Sequence, residues 1–129
     1  MRTAMTTARV YPRGVRFGPW HPLAGASEAA PDAPGLLQAR ADQVLPYPGG
    51  RSAMVLYAGT SAHGSLRALV TALGATTLAL AAATGARWIR FGETSDPAAA
   101  LARLVDQFVQ RFGAPPLANT GLTPPRTPE

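Results

Sequence analysis

Ala53-Met54-Val55-Leu56-Tyr57-Ala58-Gly59 is the stretch on which the fold turns. An apolar run of this length, closing on a tyrosine and then a glycine, reads as a strand that ends in a loop. Upstream, Gly35-Leu36-Leu37-Gln38-Ala39-Arg40 is a second strand-length run. Between them, Leu45-Pro46-Tyr47-Pro48-Gly49-Gly50 supplies prolines and paired glycines, which predict a turn without regular pairing. The two runs, 35–40 and 52–57, are therefore expected to form an antiparallel hairpin.

Working outward, Ser65 is placed to cap a helix over Leu66–Leu73, and the alanine-rich run Thr76–Ala83 reads as a second helix stopped by Gly85. Arg87-Trp88-Ile89-Arg90-Phe91 alternates, with Ile89 and Phe91 on one face and Trp88 and Arg90 on the other, so it reads as a third strand. Asp96-Pro97 opens a last helix, whose apolar stripe is Leu101, Leu104, Val105, Phe108 and Phe112 and whose end is Gly113. Val15-Arg16-Phe17 is a short strand candidate, and 24–34 reads as a small-residue loop. The order from the hairpin onward is ββ, α, α, β, α. The expected fold class is α/β of the α+β type, with a small central antiparallel three-stranded sheet flanked by helices.

A chain of 129 residues fits one domain. Residues 1–15 read as a mobile arm, 16–119 as the domain and 120–129 as a disordered Pro-rich tail. Cysteine is absent, which excludes disulfides and thiolate metal sites. All twelve basic residues are arginine. Heavy Ala, Arg, Pro and Gly use has a plain source in a GC-rich genome, yet the net charge of +5 still favours polyanions or acidic surfaces as partners. The N-terminus has no continuous apolar region of the secretory kind, and a cytoplasmic location is expected. The uncharged run Ala68–Ala86 has the length of a membrane span, but Thr71, Gly74, Thr76, Thr77, Thr84 and the dominance of alanine favour a buried helical pair.

Four features belong together: Gly35-Leu36-Leu37, Tyr57-Ala58-Gly59, Arg67 ten residues after the tyrosine, and Asn119 after a Pro-Pro-Leu-Ala run. Over roughly Trp20 to Asn119 the chain resembles the GIY-YIG nuclease family. In that family two strands carry Gly-x-Tyr and Tyr-x-Gly signatures, a helical arginine follows, a glutamate on a later helix holds a metal ion, and an asparagine comes last. The resemblance implies that Tyr57 helps to activate a nucleophile, that Arg67 sets a forked donor against phosphate, and that Asn119 orients groups around the site. Gly59 would let backbone approach closely, with Gly35, Thr60, Arg40 and Arg90 on the substrate side. The Gly-Thr-Ser loop ahead of a helix is a candidate phosphate cradle. A single Mg²⁺ or Mn²⁺ is the implied cofactor.

Two positions depart from the pattern. Leu37 stands where the first signature ends in tyrosine, and Leu101 or Ala102 stands where the metal-binding glutamate belongs. Neither carries oxygen for a hard cation. Asp96 opens the last helix and Asp106 lies on its outer face, which leaves Glu93 as the carboxylate able to substitute. His63 is expected in solvent, and His21 beside Trp20 in local packing. Three functional expectations follow. The first is a GIY-YIG-like domain with weakened or lost endonuclease chemistry that retains binding to DNA, another nucleic acid or a protein, through Tyr57, Arg67, Arg40, Arg51 and Arg90. The second is an active, divergent, metal-dependent endonuclease using Glu93 or Asp106. The third is a small membrane protein spanning 68–86.

Overall fold

Pairing, rather than hydrophobic pattern, sets the size of the sheet. The computed structural model describes residues 15–121. The expected arm, Val15 apart, and the expected tail beyond Gly121 lie outside the described residues. The elements are β1 (Arg16–Phe17), β2 (His21–Pro22), a 3-10 turn (Leu23–Gly25), α1 (Ala26–Ala29), β3 (Gly35–Tyr47), β4 (Gly50–Gly59), α2 (Leu66–Leu73), α3 (Thr77–Thr84), β5 (Ala86–Glu93), α4 (Pro97–Phe112) and a 3-10 segment (Leu117–Gly121). That last segment runs past the expected start of the tail at 120.

The class is the mixed α+β one expected, but the sheet has five strands instead of three. β3 is central, with β4 on one side and β5 on the other, and β1 and β2 both pair with the far edge of β5. All pairs are antiparallel. β1 falls within the strand candidate Val15-Arg16-Phe17, whereas the two-residue β2 carries no periodicity of its own, and that both join this sheet is revealed only by their pairing with β5. The expected loop over 24–34 likewise contains α1.

The hairpin is longer than its sequence suggests. After a register shift between Arg40 and Leu45, Leu45, Pro46 and Tyr47 pair with Ser52, Arg51 and Gly50. Pairing between β3 and β5 stops at Ala41 and Ala86. Beyond that point β3 is an edge strand, the setting in which a proline is tolerated.

Strand alternation divides the sheet into two faces. Leu37, Ala39, Leu56, Ala58, Ile89 and Phe91 point into one core, where Leu66 and Val70 of α2 and Leu78 and Ala81 of α3 meet them. Tyr47 and Tyr57 point the other way and pack with Phe108, Leu101, Leu104, Val105 and Phe112 of α4. Ser65 caps α2 as expected, its Oγ accepting the Ala68 N–H at 3.1 Å. Asp96 receives the Ala99 N–H at 3.4 Å, Pro97 lies in the first turn of α4, and Gly113 ends it at φ 83°. The Ala68–Ala86 run folds into two helices bent by 72°, and no single described helix is long and apolar enough to cross a membrane. In α3, Leu78 and Ala81 join the sheet core and the C-terminal 3-10 segment, with fully buried Ala118, lies against the helix, while Ala79, Leu80, Ala82 and Ala83 are exposed.

Candidate nucleic-acid interface

Register places Tyr57, Gln38 and Arg90 in one row across β4, β3 and β5. The row lies on the α4 face, opposite α2 and α3. α4 packs on β4 and β3, and among the described residues no helix packs comparably on the β5 side of this face. There Arg40, Trp88 and Arg90 are half-buried and Gln38 is 4% exposed. The Arg90 Nε–H donates to Gln38 Oε1 at 2.7 Å, which fixes the guanidinium above the middle of the sheet.

Aromatic rings interleave with the arginines. The guanidinium carbon of Arg90 lies 4.5 Å from the centroid of the Trp20 ring and 4.9 Å from that of Phe17, and Arg40 lies 4.7 Å from the Trp20 ring. Each distance is within cation–π range, worth about 0.5–2 kcal/mol depending on solvent exposure. Val15 and Phe17 lie against Gly92, where a Cβ would run into Val15 Cγ1 and stand 3.1 Å from Phe17 Cδ1. Beside Arg40 in register, Trp88 donates its Nε1–H to Asp42 Oδ1 at 2.6 Å.

Burial lowers the pKa of Arg90, the phenol of Tyr57 opposes that shift, and the like charge of Arg40 adds to it. The guanidinium remains charged at neutral pH. The titratable groups that act most on Arg90 are thus a phenol and a second arginine, neither of them a carboxylate. Burial raises the pKa of Tyr57, against the attraction of Arg90. The phenol therefore stays protonated at neutral pH.

Several residues expected around one site are instead divided between the two faces of the sheet. Arg67 is exposed on α2, the helix that packs against the face opposite the Tyr57 ring. Leu37, where the resemblance expects a tyrosine, is fully buried in that same α2-side core. Glu93 shares the alternation of Ile89 and Phe91, and pairs with Arg16 and Gly35 on the α2 side. It lines a shallow depression with Ala33, Pro34, Thr94 and Ser95, away from the Tyr57 row. Asp106 is exposed on α4, its Oδ2 accepting from Gln110 Nε2 at 2.8 Å. Among the described residues no group of three or more His, Cys, Asp and Glu is placed to hold a metal ion. No carboxylate stands in the Tyr57, Gln38 and Arg90 row to hold the single Mg²⁺ or Mn²⁺ that the resemblance implies.

The first turn of α2 has its N–H groups engaged within the protein: Leu66 donates to Ala33 O at 2.8 Å, Arg67 to Pro31 O at 3.0 Å, and Ala68 to Ser65 Oγ. Thr60 and Gly35 tie the strand ends together, through Thr60 N–H to Gly35 O at 3.0 Å and Gly35 N–H to Thr60 Oγ1 at 3.1 Å. Asn119 is a clamp. Its Oδ1 accepts the Tyr57 N–H at 2.9 Å and its Nδ2 donates to the Tyr57 carbonyl at 3.0 Å, so it binds the tyrosine's backbone and not its phenol. Gly59 faces Leu36 and Leu101, where a Cβ would stand 2.7 Å and 3.5 Å from their Cδ2 atoms. Arg51 is exposed on the hairpin tip.

Of the expected residues, Tyr57, Arg40 and Arg90 are therefore gathered on one face. Sequence reasoning missed their companions Phe17, Trp20 and Gln38. The signal available was the alternation of Gln38 and Arg40 against Leu37 and Ala39, matching that of Trp88 and Arg90 against Ile89 and Phe91; only pairing shows that the two polar faces are the same face. No protein-family model, no curated protein and no solved structure matches the chain.

Proposed function

We propose that this chain is a GIY-YIG-like domain whose endonuclease chemistry is lost, and that it binds nucleic acid through the face carrying Arg40, Trp20 and Arg90. The observation that carries the reading is the convergence of two guanidiniums on one tryptophan ring, 4.5 Å and 4.7 Å from its centroid, on the half of the sheet that α4 leaves open. Arginine is suited to this role because its planar fork pairs with phosphate oxygens while its flat face rests on an aromatic ring. The net charge of +5 acts in the same direction over longer range. The support for the family is the element order from β3 to α4, ββααβα, together with Tyr57-Ala58-Gly59 at the end of the second hairpin strand. The loss of hydrolysis follows from Leu37 in the core, from Arg67 and Glu93 on the α2 side, and from a Tyr57 phenol held protonated.

The test is equilibrium binding to labelled oligonucleotides across a salt series. Each phosphate contact contributes a slope of about −0.7 to −0.9 in the logarithm of affinity against the logarithm of salt. Arg40→Ala and Arg90→Ala are each expected to weaken binding and to flatten that slope by about one contact. Absence of any affinity at low salt, or variants indistinguishable from the parent, would refute the proposal.

A further inference from the structure

We infer that the ligand of this face is single-stranded nucleic acid, read by stacking, in preference to duplex. The inference rests on the proposed function, since it names the substrate class of the same site. A face built only to meet phosphates needs cations alone. Here Phe17, Arg90, Trp20 and Arg40 form a continuous chain of aromatic ring, guanidinium, ring and guanidinium, with Trp88 adjoining Arg40 in register. Phe17, Trp20 and Trp88 are each only half-buried, so part of each aromatic side chain is open to solvent beside the charges.

A duplex keeps its bases stacked on one another and offers such a surface little beyond its backbone. An unpaired strand offers both phosphates and free base faces, and each base that stacks on an aromatic side chain strengthens binding in a sequence-tolerant way. The protein side of the arrangement is fixed before any ligand arrives. Gln38, almost wholly buried, holds the Arg90 Nε–H, and Gly92 leaves room for Val15 and Phe17 against β5. Strands are spaced about 4.8 Å apart, so the distance from β1 across β5 to β3 is about 10 Å, enough for two or three bases.

The chain contains two tryptophans, and both lie in this cluster. Intrinsic fluorescence therefore reports on the site directly. The full chain is titrated at low salt with an oligothymidylate and, separately, with a duplex of the same length. The expected result is quenching by the single strand with an affinity at least tenfold above that for the duplex. Trp20→Ala is expected to lower single-strand affinity roughly 5- to 150-fold, the range of one lost stacked base, without changing the salt slope. Trp20→Phe keeps a ring and is expected to restore most of the loss; it also separates stacking from misfolding, as does a circular dichroism spectrum of each variant. Equal or tighter binding of duplex would overturn the inference while leaving the proposed function standing. Folded Trp20→Ala with parental single-strand affinity would overturn it as well. Failure of both ligands to bind would remove both readings.

Discussion

Replacing Asn119 by alanine separates a structural asparagine from a catalytic one. The side chain is 2% exposed and spans the backbone of Tyr57, accepting its N–H at 2.9 Å and donating to its carbonyl at 3.0 Å. β4 is the last strand of the sheet, so these two groups have no strand neighbour on that side among the described residues. Asn119 supplies the pairing that a further strand would give. Removing it leaves a buried donor and a buried acceptor without partners, at about 1–3 kcal/mol each. Water entering the vacated space recovers part of that, and a net loss of about 2–4 kcal/mol is expected. For a domain of this size, that corresponds to a fall of roughly 10–20 °C in Tm. Urea and thermal unfolding followed by circular dichroism measure it. A loss under about 1 kcal/mol would refute the clamp. Asn119→Asp refines the test. Ionised, its carboxylate faces the Tyr57 carbonyl; protonated, it donates to that carbonyl. Its folded pKa must then rise above the unfolded value of about 3.9, so the variant is most stable at low pH and loses stability as pH climbs through that range.

Leu37→Tyr puts a tyrosine where the proposed GIY-YIG likeness would have one, but places a larger, polar side chain where Leu37 is 0% exposed in the α2-side core. A cost of about 1–3 kcal/mol is expected, with no metal-dependent nicking of supercoiled DNA; nicking would show that the first tyrosine is all that the site lacks. Gly35→Ala puts a Cβ onto the Gly92 carbonyl oxygen, with Leu66 Cδ1 at 2.9 Å and Glu93 Cα at 3.0 Å. Destabilisation of about 3 kcal/mol or more is expected by denaturant titration, and a loss of binding at unchanged stability would instead make Gly35 a contact residue. Burial raises both Tyr47 and Tyr57 above the ordinary 10.0. The folded protein then holds these protons more tightly than the unfolded chain, so stability falls as pH rises above about 10. Absorbance of the phenolate should show them ionising late, and Tyr57→Phe should flatten the alkaline loss; a Tyr57 that ionises at its ordinary pH would contradict its burial.

Local chemistry was legible wherever one residue sufficed to state it. Ser65, Gly85, Asp96-Pro97 and Gly113 mark their helix ends by cap geometry that depends on immediate neighbours. The alternation of Arg87–Phe91 gave β5 its two faces for the same reason. Pro46 misled because a proline excludes pairing only inside a sheet, and its own sequence does not say that β5 stops at Ala86. The site was less legible. Tyr57 and Arg67 stand at a family-like spacing, yet spacing along the chain does not say on which side of a sheet a following helix will pack. Asn119 was legible as a polar residue after a proline pair; that it binds backbone across a separation of 62 residues was not.

By itself, then, the sequence determined the order of the elements from the hairpin onward, the caps that bound its helices, the absence of thiol chemistry and the cationic balance, because each of these depends on residue type or on a period of two or 3.6. The tertiary structure decided the fourth and fifth strands, the clamp at Tyr57, and the meeting of Phe17, Trp20, Arg40 and Arg90 on the open face. Those depend on strand register, and register is settled only when three distant segments pair and one face of each is committed to a core.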